Sequence, residues 1–315
     1  MPTPYAYFQK RFMPVAEAKL PIMTHAFLYG TATFEGIRGN WNEEDQQLYL
    51  FRVRDHFRRL LRSCRILTID LPLKEEEMEA LAVRLVEMSG YREDVYLRPI
   101  AYKSSEVIGV RMHNLESDLL MFVTPFGPYL DVEKGIRCMT SSWRRVEDTG
   151  IPARAKVTGL YVNSALAKTE AQSNGFDEAI MLTEDGHVSE GSGENIFVLE
   201  GGRLITPPSS DNILVGITRD TVICLARDEL GIETIERPID RSELYVADEC
   251  LMTGTAAHVS AVVEVDRRPV GDGRVGSITA QLQKLYFDVV RGKNSKYMGW
   301  CTAASPKLQH AGRQG

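Results

Sequence analysis

An α+β fold in two domains, with a cleft between them, is the architecture this sequence predicts, and three observations predict it. The 315 residues are long for one hydrophobic core and comfortable for two. Strand-like runs alternate with amphipathic helices along most of the chain. The breaker cluster Pro125-Phe126-Gly127-Pro128-Tyr129 separates an early group of elements from a later one. The expected division is a small N-terminal domain over 1–124, a linker over 125–135 and a large C-terminal domain over 136–301. From Thr302 to 315 the residues are polar, small and patternless, which predicts a disordered tail. A cleft between two such domains is a natural place for a small-molecule site.

The elements follow in order. An arginine-rich helix is expected from about Arg54, with Phe57, Leu60, Leu61 and Ile66 on its apolar face. Lys74 to Ser89 reads as a second helix, stopped by Gly90. Val95 to Tyr102 and Asp118 to Thr124 are strand-like runs of β-formers and apolar residues. Beyond the breaker cluster, Asn163 to Ser173 is a helix stopped by Asn174-Gly175, and Glu178 to Leu182 a strand. Thr218 to Leu230 is a helix closed by Gly231, followed by a strand from Ile232 to Glu236. Glu249 to Thr253 and Val259 to Val265 are further strands, and Ile278 to Val290 is a terminal helix.

Composition excludes several classes. Apolar residues make up 43% and charged residues 25%, the balance of an ordinary globular chain. A net charge of −6 argues against a surface built for nucleic acid or anionic lipid. The one dense basic stretch, Arg52, Arg54, Arg58, Arg59, Arg62 and Arg65, reads mainly as the solvated face of a helix. Five cysteines, an odd number without a CxxC pair, fit free thiols in a reducing cytoplasm. Six histidines show no metal-ligand spacing, so no metal site is expected. Neither a signal peptide nor a membrane-spanning run is expected.

Gly271, Gly273 and Gly276 fit the G-x-G-x-x-G pattern between a strand and a helix. A dinucleotide-binding half needs a returning parallel strand after that helix, and no such strand is expected here, so a plain glycine-rich turn is favoured. Four other segments carry more chemistry. Lys156 stands among small and apolar residues in Ile151 to Tyr161, where desolvation would favour a neutral, nucleophilic amine. Ser189-Glu190-Gly191-Ser192-Gly193-Glu194-Asn195 sets two carboxylates and two glycines before a strand, although its composition alone favours a plain surface turn. Val215-Gly216-Ile217-Thr218-Arg219-Asp220 opens a helix whose free N–H groups and threonine hydroxyl suit an anion, or simply cap it. Met252-Thr253-Gly254-Thr255-Ala256-Ala257 ends a strand in small residues, a second anion cradle.

Together these segments resemble the branched-chain amino-acid aminotransferases, of the fold-type IV pyridoxal-phosphate enzymes. The resemblance extends through His25 to Thr31, Phe34-Glu35-Gly36-Ile37-Arg38, Arg59-Leu60, Tyr96-Leu97-Arg98-Pro99 and Ser141-Ser142-Trp143, and runs from the N-terminus to about Trp300. It implies pyridoxal 5'-phosphate carried covalently on Lys156, with Tyr161 bonded to the ring oxygen and Glu190 to the ring nitrogen. It assigns the phosphate to Arg59, Ile217, Thr218 and Thr255. The substrate pocket it implies consists of Phe34, Tyr96, Arg98, Tyr129, Tyr161, Thr255 and Ala256, with Tyr29 reaching in from a neighbouring subunit. Phe126 stands where many relatives carry tryptophan. The implied reaction is a double displacement between branched-chain L-amino acids and 2-oxoglutarate, in a homodimer or an assembly of dimers. D-amino-acid aminotransferases, (R)-amine transaminases and aminodeoxychorismate lyases share a lysine and glutamate equivalent to Lys156 and Glu190. The joint presence of Tyr96-Leu97-Arg98-Pro99, Gly191 to Asn195 and Gly216 to Arg219 favours the branched-chain reading. The intact lysine ranks a noncatalytic binding relative far lower.

Overall fold

The computed structural model describes residues 4–127 and 134–304. The N-terminal part contains β1 (Tyr5–Phe8), β2 (Arg11–Pro14), α1 (His25–Tyr29), β3 (Ala32–Phe34), β4 (Ile37–Asn42) and β5 (Gln47–Phe51). It continues through α2 (Val53–Ile66), α3 (Glu75–Ser89), β6 (Val95–Lys103) and β7 (Ser117–Pro125). The C-terminal part runs through β8 (Ile136–Thr140), α4 (Tyr161–Ser173), β9 (Glu178–Leu182), β10 (Val188–Gly191), β11 (Asn195–Glu200), β12 (Arg203–Thr206) and α5 (Ile217–Leu230). It ends with β13 (Thr234–Glu236), β14 (Glu249–Gly254), β15 (His258–Val265), β16 (Arg268–Pro269), α6 (Ser277–Val290) and β17 (Cys301–Ala303).

These strands form two sheets, the mixed α+β arrangement expected. The first is antiparallel, in the order β17-β5-β4-β6-β7-β1-β2 with β3 beside β6. The second runs β10-β9-β8-β15-β14-β11-β12-β13 with β16 beside β15, and is parallel at β8–β9, β8–β15 and β12–β13. Alternation along β6 decides what reaches the site. Val95 and Leu97 are buried in the core shared with Phe57, Leu60, Met78 and Leu85 of α2 and α3, so Tyr96 and Arg98 emerge on the opposite face. In the second half, α5 and α6 cover one face of the sheet through Val222, Leu225, Leu282 and Tyr286, packed with Phe197 and Leu251.

Local chemistry accounts for the helix ends. Glu75, Glu76 and Glu77 occupy the first turn of α3, favourable at the positive end of its dipole, and Gly90 closes it at φ +67°. Arg54, Arg58, Arg62 and Arg65 are exposed as expected of a solvated face, whereas Arg52 and Arg59 turn inward. Arg52 bridges Asp55 and Asp220, both at 2.6 Å, which ties α2 to α5. Among the described residues no helix is long and apolar enough to cross a membrane.

Two expectations need correction. Thr302 and Ala303, assigned to a disordered tail, belong to β17 and pair with Leu50 and Tyr49. Backbone pairing at a sheet edge orders them, and their side-chain composition gives no sign of it. Residues from 305 on lie outside the described residues. A strand therefore does follow the glycine-rich turn and α6, but it is antiparallel and joins the other sheet. The N-terminus of α6 is already filled by the Glu249 carboxylate, which accepts from Ile278 N at 3.0 Å and Thr279 N at 2.8 Å. No dinucleotide half is formed.

Candidate active site

The two sheets are sewn together where β3 meets the segment after Ala155. The Lys156 carbonyl accepts from Phe34 N and Thr33 Oγ1, both at 3.0 Å, and Thr158 N donates to Ala32 O at 2.9 Å. Lys156 N donates to Ser63 Oγ on α2 at 3.2 Å. This fixed backbone sends the side chain into a cavity, where Nζ donates to the Tyr161 hydroxyl at 2.5 Å. Tyr161 stands in the first turn of α4, its ring edge-on to Phe34 at 4.7 Å.

Arg59, Lys156, Tyr161, Glu190, Ile217, Thr218 and Thr255 all border this cavity. Glu190 is fully enclosed: Oε1 faces Arg145 Nη2 at 2.7 Å, and Oε2 accepts from Leu214 N at 3.0 Å and Asn195 Nδ2 at 3.2 Å. Burial pushes its carboxyl above the usual range, and Arg145 and the Leu214 N–H oppose that rise. A carboxylate held this way gains from a further cation in the cavity.

The N–H groups of Ile217 and Thr218 open α5 and have no partner among the described residues, an orientation that suits an anion. Gly216 precedes them because a Cβ there would run into Asn195 Oδ1. Arg59 reaches the same end from α2. Nε and Nη2 donate to the two oxygens of Glu35, each at 2.7 Å, and Nη1 donates to Val215 O at 2.9 Å. Burial alone would raise Glu35, but Arg59 and His56 hold it down at about 2, so it is a carboxylate. His56, lowered by its own burial, is neutral and donates from Nδ1 to Glu35 at 2.7 Å.

A second cavity of about 450 Å³ adjoins the first, in the size range of small-molecule sites. Phe34, Tyr96, Arg98, Phe126, Tyr161, Thr255 and Ala256 border it, and Lys156, Tyr161 and Thr255 border both. Arg98 lies 4.4 Å over the Phe34 ring and donates to the Tyr96 hydroxyl at 3.1 Å, while its Nε is buried without a partner among the described residues. The N–H groups of Thr255 and Ala256 are unpartnered among the described residues. Tyr129 lies outside the described residues. Tyr29 borders neither cavity within this chain; it sits on the surface, its hydroxyl accepting from Gly109 N at 3.0 Å.

Sequence reasoning missed four residues of this site: Glu35, Arg145, Asn195 and Thr253. Thr253 borders the first cavity with its hydroxyl buried and unpartnered among the described residues. Glu35, Asn195 and Thr253 lie inside segments singled out by sequence, and Arg145 lies two residues beyond Trp143. Their positions were in view, but nothing local announced their contacts.

Known proteins match this chain over nearly its full length. The profile of the family described as "Amino-transferase class IV" matches residues 32–265. The "Probable branched-chain-amino-acid aminotransferase" of Aquifex aeolicus is 50% identical over 303 residues, covering 96% of this chain and 97% of that protein. The crystal structure of the branched-chain aminotransferase from Thermoproteus uzoniensis with norvaline superposes with a TM-score of 0.92 at 44% identity, over 96% of this chain and 99% of that one. The branched-chain amino acid aminotransferase from Thermobaculum terrenum, in its PLP-bound holo form, gives a TM-score of 0.92 at 36% identity, over 96% of this chain and 99% of that one. On these likenesses over nearly its full length, this chain belongs to the branched-chain amino-acid aminotransferases of the class IV family.

Proposed function

We propose that the protein moves the amino group of leucine, isoleucine or valine to 2-oxoglutarate, using pyridoxal 5'-phosphate and releasing branched 2-oxo acids and L-glutamate. The family supports the reaction. The observation that carries it to particular residues is that Lys156 and Tyr161 border both cavities, so one amine serves cofactor and substrate.

The side chains and N–H groups around the first cavity suit pyridoxal phosphate. The N–H groups of Ile217 and Thr218 suit its phosphate, together with Arg59 and the hydroxyl of Thr255. The Thr253 hydroxyl, without a partner among the described residues, would gain one there, and a Cβ on Gly193 would meet nothing within 4 Å, which marks open space at the cavity wall. Once bound, the cofactor supplies an electron sink for the pair left on the substrate Cα when its proton departs. Lys156 would hold the cofactor covalently and, displaced by the substrate amine, would take the Cα proton at Nζ. Tyr161 orients that amine through its hydroxyl. Glu190 would keep a proton on the ring nitrogen, and Arg145 and Asn195 keep Glu190 in place. In the second cavity, Thr255 and Ala256 N–H groups would meet the substrate carboxylate, while Phe34, Tyr96, Phe126 and Tyr161 would enclose the aliphatic chain.

The proposal includes two domains, 1–124 and 136–301, joined through 125–135, and a homodimer in the cytoplasm. The dimer is supported by apolar residues grouped around α1 and the loop bonded to it, with Ile22 80%, Phe27 68%, Ile108 75% and Val110 79% exposed. Tyr29 lies in that face and would enter the substrate cavity of a second copy. Five free cysteines fit a reducing compartment.

The test is an amino-donor panel on the holoenzyme. L-Leucine, L-isoleucine and L-valine should each convert the visible cofactor band, whereas D-alanine and an (R)-amine should leave it unchanged. Conversion by D-alanine or the (R)-amine alone would overturn the assignment.

A further inference from the structure

Arg38 and His258 border neither cavity, yet they join two of the walls that do. Arg38, on β4, is 3% exposed. Its Nη1 donates to the carbonyls of Phe126 at 3.0 Å and Gly127 at 3.2 Å, and its guanidinium lies 4.9 Å over the Phe126 ring. Nη2 reaches Gly127 O at 3.4 Å and His258 Nε2 at 2.7 Å. Phe126 forms part of the substrate cavity.

His258 opens β15 and pairs with Gly254 across the hairpin, so it closes the turn that carries Thr255 and Ala256. Its φ is +57°, a left-handed conformation that a non-glycine residue keeps only when its surroundings hold it there. Burial lowers the imidazole to about 3, with Arg38 and Arg291 adding to the shift. Those two arginines are the charged groups that face it, and Tyr286 and Phe287 of α6 present their rings at 5.8 and 5.1 Å. The histidine is therefore neutral, and Nε2 accepts from Arg38. One guanidinium thus spans three pieces of chain: β4, the Phe126–Gly127 segment after β7, and the turn between β14 and β15.

We infer that Arg38 and His258 are positioning residues that lock the Phe126 wall to the Thr255–Ala256 turn and so fix the shape of the substrate cavity. This rests on the reading of that cavity as the amino-acid site. Without the Arg38 contact, the strained backbone at His258 relaxes and the turn's N–H groups drift from the Phe126 wall. Substrate binding weakens, while Lys156 and the cofactor residues around it keep their own contacts.

The experiment compares His258→Leu with His258→Gln in the holoenzyme, at matched cofactor occupancy, with L-leucine as donor. Glutamine and leucine meet the same penalty at positive φ, but only glutamine returns an acceptor near the Nε2 position. His258→Leu should raise KM for L-leucine about tenfold with kcat changed less than about threefold, and His258→Gln should restore KM to within about twofold. A KM unmoved by His258→Leu, or a His258→Gln variant as impaired as His258→Leu, would overturn the inference. If His258→Leu yields no folded holoenzyme, Arg38→Lys takes its place. A lysine keeps the charge but cannot span the histidine and both carbonyls, so KM should rise similarly, and an unchanged KM again overturns the inference. Wild-type enzyme that fails to turn over L-leucine would overturn the proposed function and this inference with it. Active wild-type enzyme with unmoved variants would overturn this inference alone.

Discussion

Arg98 brings a guanidinium into a cavity walled by Phe34, Tyr96 and Phe126, and it forms no ion pair among the described residues. Buried charge is costly unless it is met, and a cavity that accepts both leucine and glutamate needs a cation for the second and an apolar wall for the first. On the proposed function, Arg98 would supply that cation from the rings on which it lies. Arg98→Met is expected to weaken the glutamate half-reaction by about 2 kcal/mol more than the leucine half-reaction, the scale of a lost buried charge contact. Rapid mixing of each amino acid with holoenzyme at matched occupancy measures both, and equal losses would make Arg98 a brace. The identity of such residues was legible through resemblance, not through local pattern. Glu190 lies in a segment whose composition reads as a surface turn, yet it is buried because Arg145 and Leu214 converge on it from separate parts of the chain. Partners that distant leave no mark on neighbouring residues.

Helices were the more legible elements. α2, α3, α5 and α6 each start within one residue of the start read from periodicity and stop signals, because capping and apolar spacing are local. Many strands were not located, β1 to β5, β8, β10, β12, β16 and β17 among them, and in the shortest of these two to four residues are too few to display an alternation. The start of α6 shows how an element can imitate a functional motif. Gly276 is required there because a Cβ would run into the Glu249 side chain, whose carboxylate also accepts from the Thr279 hydroxyl at 2.7 Å. Glutamate thus occupies the helix end that the glycine pattern would offer to a phosphate. Glu249→Ala should lower stability by about 1–2 kcal/mol, the usual value of a lost N-terminal cap, and leave turnover at low temperature intact. Calorimetric melting and an assay well below the transition check this, and an unchanged melting temperature would contradict the capping role.

At the scale of the whole molecule, the site exists because two sheets meet at β3 and Lys156 is fixed in the seam. Sequence predicted the mixed α+β arrangement, because the alternation of strands and helices is visible along the chain. It missed the return of the chain to the first sheet through β17, and the ties that cross between the halves, such as Arg52 to Asp220 and Arg38 to His258. Those contacts span more than 160 residues and depend on the finished fold. The central claim is that this convergence makes Lys156 the attachment point of the cofactor. Borohydride reduction of the purified yellow protein, followed by peptide mass spectrometry, tests it most directly. The account predicts the reduced phosphopyridoxyl group on the peptide containing Lys156, and none on any peptide of the Lys156→Ala protein. The group on a different lysine of the native protein, or wild-type turnover by Lys156→Ala, would contradict it.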